Sequence, residues 1–427
     1  MATVQPFDGT RYNPDHVKLG GVLAPPYDVI SDAKRDELYG RDLRNIVRID
    51  SGATFPDDVE GVDDRYTRAA SFLASWHDLG VLVRDDQEGF YVVDHSFQHP
   101  DGSARNRRGL LATVEATPWE SSDLRPHERT LRGPKADRLA LLRATRAQTS
   151  PVFAVWTGSE RIVDALEGVA TGHALLGGRL DGEVASEKLL LWRVADPEQV
   201  AAIAAALHSA KLYVADGHHR YETARVYAEE IGGEGPHRYV LMCLVALEDP
   251  GLTVFPTHRL LKDLRPDQHE ALANAIRRDF ELKRLESTDE LVPAYGQPVS
   301  MGYIDAHFRQ PWMLTLKDQA TADAALSDHA EPYRRLDTAV LEALILKGAL
   351  GMTDDDIDHL TGLGYARDFD DALRLVQDGD YDAAFFVAAT PIEQVRAVAA
   401  AGESMPPKST YFFPKVPTGL LFNPLSE

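Results

Sequence analysis

Asp216-Gly217-His218-His219-Arg220 gathers a carboxylate, two imidazoles and a guanidinium around one glycine. The run Leu212-Tyr-Val-Ala215 before it has the apolar continuity of a strand, and the stretch after it, to about Glu230, reads as a helix. A strand-to-helix turn of this kind points backbone N–H groups and the positive end of the helix dipole into the turn, so it attracts anions. Gly217 supplies the tight turn, and His218, His219 and the Arg220 fork complete a cradle suited to phosphate. Asp216, on the rim, is placed to hold Mg²⁺ or to orient a substrate hydroxyl. A plainer reading fits the same letters, with Asp216 as a helix cap and the histidines solvated in the first turn. Adjacent histidines point about 100° apart on a helix and make a poor pair of metal ligands.

A second group of chemically useful residues is His127-Glu128-Arg129-Thr130, followed by Lys135 and Arg138. Segment 125–146 holds seven basic residues against two acidic ones, a local charge of +5 in a chain of −22. A carboxylate among cations stays ionised, so Glu128 can act as general base toward an alcohol, while Lys135 and Arg138 can meet phosphate. A surface salt-bridge network accounts for the same composition. Weaker candidates for lining a pocket are Tyr27 and Asp28 in the string Leu23-Ala-Pro-Pro-Tyr-Asp-Val-Ile30, Thr223 in the helix after the glycine turn, and His258 and Arg259. Lys408 and Lys415, in the tail, are placed to close over a phosphate or to sit in solvent. Asp354-Asp-Asp356 reads as N-terminal helix charge rather than a metal site.

The elements that must position these residues can be traced along the chain. A helix is predicted over 64–79, strands over 90–93 and 109–114, then a helix with Leu139 and Leu142 inward and a strand over 152–156. Residues 157–210 read as an excursion between strand 152–156 and strand 212–215. The run 239–247, apolar without alternation, predicts a strand buried on both faces and makes Cys243, the single cysteine, a buried inert thiol. Beyond 265 helix and strand alternate: helix 267–280, strands 298–304 and 311–316, helix 336–349, strand 384–389 and helix 391–401. The tail 406–421 predicts an ordered loop. At 427 residues, two or three domains are expected. The partition read from the sequence is an N-terminal α/β segment (1–118), a phosphate-binding domain (119–264, with the insertion at about 157–210) and a C-terminal α/β domain (265–427), an α+β or mixed α/β chain overall.

The net charge of −22 disfavours nucleic acid as a general partner. No apolar run approaches the roughly 20 residues that span a bilayer, and no signal peptide is visible, so no membrane partner and a cytoplasmic location are expected.

Five strings, in order along the chain, carry a resemblance: Ala24-Pro-Pro-Tyr-Asp-Val-Ile-Ser31, His127-Glu-Arg-Thr130 with Lys135-Ala-Asp-Arg138, Ala215-Asp-Gly-His-His-Arg-Tyr-Glu-Thr-Ala224, Pro256-Thr-His-Arg259 and Lys415-Val-Pro-Thr-Gly419. The chain resembles the bacterial family filed as domain of unknown function 1015. The central part of that family is similar to the ParB/sulfiredoxin-like nucleotide-binding fold, and within it to the free-serine kinases. The resemblance implies that Glu128 matches the proposed base of that branch and 216–220 its phosphate motif, and that His127-Glu128 and 216–220 face each other across one cleft. It also implies a small-molecule kinase that uses Mg²⁺ and ATP, ADP or pyrophosphate to phosphorylate an alcohol, free L-serine first among them. Glu128, Asp216 and His218 would be its catalytic residues. Sulfiredoxin chemistry is disfavoured because His218 fills the position of its nucleophilic cysteine. A non-catalytic nucleotide sensor using the same pocket is the alternative, and a homodimer stays open. The segment between 157 and 210 and the two terminal regions have no counterpart in the small kinases.

Overall fold

The computed structural model describes residues 2–119, 124–126, 135–157, 160–170, 172–180, 187–208 and 210–426, apart from the side chains of residues 135, 160 and 161. The architecture is mixed α/β. Two compact units emerge: a larger one spanning Met1–Arg125, Pro134–Leu252 and Pro414–Glu427, and a second containing Thr253–Phe413.

The larger unit is built on a nine-stranded sheet. Its strands are β1 (Val4–Gln5), β2 (Phe90–Gln98), β3 (Ala104–Glu115), β4 (Leu124–Pro126), β5 (Val152–Thr157), β6 (Leu176–Leu180), β7 (Glu187–Val194), β8 (Lys211–Asp216) and β9 (Tyr239–Ala246). The spatial order is β4-β8-β5-β9-β3-β2-β7-β6, with β1 on β3. β9 lies parallel to β5 and antiparallel to β3, at the middle of the sheet, which is why its sequence is apolar on both faces. Cys243 is buried there, and burial pushes its thiol up to about 12, as an inert core cysteine requires. Its helices include α1 (Arg65–Asp78), α2 (Lys135–Thr145), α3 (Glu160–Val169), α4 (Pro197–Leu207) and α5 (His218–Ile231). One sheet face, with Val92, Leu110, Ala154, Val214 and Met242, packs against Ile162 of α3, Ile203 of α4 and Tyr221 of α5.

Two boundaries differ from the sequence reading. The predicted division at 118/119 separates nothing, because β2 and β3 of the supposed N-terminal segment are neighbours of β9 and β7 in one sheet. Nor is 157–210 an excursion. Its strand β7 pairs with β2 from Lys188↔Ser96 to Val194↔Phe90, and its helices α3 and α4 cover the sheet. In both cases the pairing is long-range and leaves no local signature.

The second unit carries a six-stranded antiparallel sheet. Its strands are β10 (His258–Leu261), β11 (Phe280–Arg284), β12 (Ser300–Asp305), β13 (Trp312–Leu316), β14 (Leu363–Ala366) and β15 (Ala383–Phe386), in the order β11-β13-β12-β15-β10-β14. Helix α6 (Pro266–Asp279) packs Leu272 and Ile276 on one face, and α7 (Phe369–Gln377) packs Ala372 and Val376 on the other. Among the described residues no helix is long and apolar enough to cross a membrane.

Candidate functional site

The glycine turn forms as the sequence predicts. β8 ends at Asp216, Gly217 adopts a left-handed φ of 88°, and α5 begins at His218. Only glycine takes that conformation without strain. A Cβ at position 217 would also stand 2.9 Å from two guanidinium nitrogens of Arg220, so the turn and the arginine are built around each other. With glycine at the N-cap no side chain closes the first turn of α5, and an anion is the natural complement of that helix end.

Arg220 is clamped within the protein. Its Nη2 donates to Asp216 Oδ2 at 2.7 Å, and its Nη1 donates to Ser150 Oγ at 2.6 Å and to the Pro151 carbonyl at 2.5 Å. The other Asp216 oxygen, Oδ1, accepts from Lys415 Nζ, brought in from the C-terminal segment of the same unit. Thr418, three residues on, donates to Ser150 Oγ at 3.1 Å. Asp216 is therefore the anionic bridge between two cations. Each of its oxygens accepts from one of these cations. Among the described residues no group of three His, Cys, Asp or Glu side chains is arranged to hold a metal ion.

Arg138, one turn into α2, reaches the same region. Its guanidinium lies 4.2 Å from the centre of the Tyr27 ring, while Nε donates to Asp137 at 2.7 Å and Nη1 stands 3.4 Å from Asp50. Burial pushes the Tyr27 phenol up to about 12, with the charges of Arg220, Asp28, Arg138 and Asp216 all felt at the ring. Tyr27 sits in a short 3₁₀ turn after Pro25-Pro26, and Asp28 beside it is exposed. Behind Arg220 a cavity of about 50 Å³ is lined by Asp50, Arg138, Ser150, Arg220 and Thr223. Thr223 Oγ1 and Arg220 Nε are buried and meet no hydrogen-bond partner among the described residues.

The other predicted residues fall as follows. His218 is buried, 6.5 Å from Trp119 ring to ring, and His219 is half-buried at the mouth of the helix. Lys135 opens α2, but its side chain, with His127 and Glu128 entire, lies outside the described residues. His258 and Arg259 belong to the second unit. His258 packs 4.9 Å from Phe386, and Arg259 donates to the Pro407 carbonyl at 3.1 Å, so both serve as buried framework of strand β10. The sequence reading passed over Ser150, Asp50 and Thr418. Thr418 lies in the string Lys415-Val-Pro-Thr-Gly419, whereas nothing near Ser150 announces an arginine clamp.

The geometry thus defines a mixed α/β protein with a cationic, left-handed glycine turn at the end of a sheet strand. The chain belongs to the family described as protein of unknown function (DUF1015), whose model matches residues 4–339. No curated protein matches the chain. Among solved structures it is similar to a conserved hypothetical protein from Pyrococcus furiosus, at 13% identity and a TM-score of 0.37, covering 73% of this chain and 93% of that one. It is also similar to a free serine kinase in complex with AMP, at 12% identity and a TM-score of 0.37, covering 73% and 92%. A third similar structure is SbnI with a C-terminal truncation, from Staphylococcus aureus, at 9% identity and a TM-score of 0.37, covering 72% and 85%. At these identities and scores the likeness decides neither reaction nor ligand.

Proposed function

We propose that this protein binds the phosphates of a nucleotide or pyrophosphate donor at the β8–α5 turn and transfers one phosphoryl group to a small alcohol. Free L-serine is the acceptor that the order of the motifs implies. The observation that carries the reading is the convergence of Arg220, Lys415 and the uncapped start of α5 on one turn, with Asp216 holding the two cations in register. Phosphoryl transfer through a loose transition state asks mainly for positioning and charge neutralisation, and these groups supply both. Lys415, His219 and the N–H groups of α5 would meet the donor's phosphates. Arg220 would hold the turn in shape, and Arg138 stacked on Tyr27 would close one wall.

In the step itself, the acceptor oxygen bonds to the transferred phosphorus as the bond to the donor's bridging oxygen breaks. The hydroxyl proton passes to Glu128, the base the resemblance assigns. Glu128→Gln should abolish turnover while donor affinity is kept or improved, since the amide cannot accept the proton and removes a negative charge near an anion. Calorimetry of donor binding beside product formation checks this. Equal loss of binding and rate would make Glu128 a structural residue.

A further inference from the structure

Lys18 and Arg179 line one cavity of about 490 Å³ in the larger unit, a size within the ~300–1,000 Å³ typical of small-molecule pockets. Both are exposed, and neither forms an ion pair among the described residues, in a chain where 67 acidic residues outnumber 45 basic ones. The other described lining residues are glycines or apolar, with Tyr12, Pro14, Val17, Leu19 and Leu176 as the walls. The Tyr12 hydroxyl donates to the Arg44 carbonyl at 2.7 Å and brings no charge. Two cations and no carboxylate therefore face an otherwise apolar space.

Glycines account for the space. β6 reads Leu176-Gly-Gly-Arg-Leu180 and is the edge strand of the nine-stranded sheet. The short helix Leu19–Val22, which contains Gly20 and Gly21, lies against that strand with the two backbones in close approach. A Cβ at Gly20 would overlap the Arg179 carbonyl oxygen, and one at Gly178 would stand 3.0 Å from the Leu19 side chain. This packing brings Lys18, two residues before Gly20, close to Arg179. It also covers a strand edge, while the side chains missing at 177 and 178 leave the volume beside it unfilled.

A third cation sits across the strand pair. The register partner of Arg179 on β7 is Lys188, also exposed and also without an ion pair among the described residues. Like charges directly opposite each other weaken a strand pair, and a bound anion offsets that repulsion. The planar fork of a guanidinium suits a carboxylate, which it can meet with two parallel hydrogen bonds.

We infer that this cavity binds a small organic acid, with the carboxylate held by Lys18 and Arg179 and an aliphatic body against Val17, Leu19 and Leu176. It is a second ligand site, and it does not rest on the phosphoryl-transfer reading. Gly20 lines it and also borders a smaller cavity that Lys415 lines, so the acid is held beside the phosphate turn and not in it.

The test is calorimetry of the full-length protein with octanoate, octylamine, 1-octanol and acetate, which separate the head group from the body. Octanoate should bind at one site roughly tenfold or more tightly than each of the other three. Lys18→Met combined with Arg179→Met, both at exposed positions, should erase the preference for octanoate over 1-octanol. Val17→Phe narrows the cavity and keeps both cations, and it should weaken octanoate by a similar factor. Excess pyrophosphate should leave octanoate binding unchanged. Octanoate bound no more tightly than acetate or 1-octanol, or unchanged binding in both variants, overturns the inference. Displacement of octanoate by pyrophosphate overturns it too, since the acid would then occupy the phosphate turn.

Discussion

Lys415 and Arg220 grip one carboxylate but do different work. The Arg220 guanidinium donates to Asp216, Ser150 and Pro151, whereas Lys415 donates to the other oxygen of Asp216. Removing Arg220 takes one donor each from Asp216, Ser150 and the Pro151 carbonyl, and breaking a buried ion pair costs about 3 kcal/mol or more. Arg220→Ala is therefore expected to lower the thermal midpoint as well as donor affinity, and a melting curve unchanged from wild type would show that the clamp is idle. Lys415→Met keeps the packing of the side-chain stem and should act mainly on binding. Loss of one charge-assisted contact, worth ~1.5–3 kcal/mol, corresponds to roughly ten- to a hundredfold weaker donor binding by calorimetry. The residue types at this site are legible in the sequence, since a glycine between strand and helix beside basic residues has a mechanism. That the arginine turns inward is not legible, because Ser150 and Pro151 lie about seventy residues away and only the pairing of β8 with β5 brings them close.

At the scale of elements, the strand–glycine–helix unit is the device on which the site depends. Gly217→Ala forces an L-residue into the left-handed region, which costs about 1–2 kcal/mol, and drives a methyl into the Arg220 guanidinium. Donor affinity should fall with that stability, and a variant with wild-type affinity would mean that the turn does not hold the anion. Strand β10 of the second unit allows a pH test. His258 is buried against Phe386, and desolvation lowers its imidazole to about 4, helped by Arg259. Its folded value lies below that of the unfolded chain, near 6.5, so the unfolded state binds the extra proton. Stability is then complete above pH 6.5 and falls as pH drops toward 4, by up to about 3 kcal/mol. Asp337, raised by burial to about 6, acts in the opposite sense over pH 4 to 6, so the comparison is made between proteins. His258→Phe should lose less stability on acidification than wild type in denaturant titrations at pH 7 and pH 4.5. Identical losses would remove the assigned cause. Elements with strong local patterns, such as α1, β9 and α6, were readable from sequence almost to the residue. β7 and β10 were not, because their partners β2, β14 and β15 lie roughly a hundred residues away in the chain.

Across the whole molecule, the sheet of the larger unit draws strands from both sides of the glycine turn, and the C-terminal segment returns to the same unit with Lys415 and Thr418. Cutting the chain before 414 should therefore destabilise the larger unit and abolish donor binding, although nearly two hundred residues separate Lys415 from Asp216. A truncated protein that still binds donor would remove Lys415 from the site. The net charge of −22 keeps general polyanions away, while the turn concentrates cations where the proposed function would hold one small anion. Whether that anion is a phosphoryl donor in turnover is decided by one measurement, phosphorus NMR of the purified protein with Mg²⁺, a small amino alcohol and ATP, ADP or pyrophosphate in turn. A new phosphomonoester resonance, growing with time in the presence of at least one donor and absent in Gly217→Ala, is the predicted result. Donor that binds but yields no phosphorylated alcohol with any of the three would contradict phosphoryl transfer and leave a protein that only senses nucleotide.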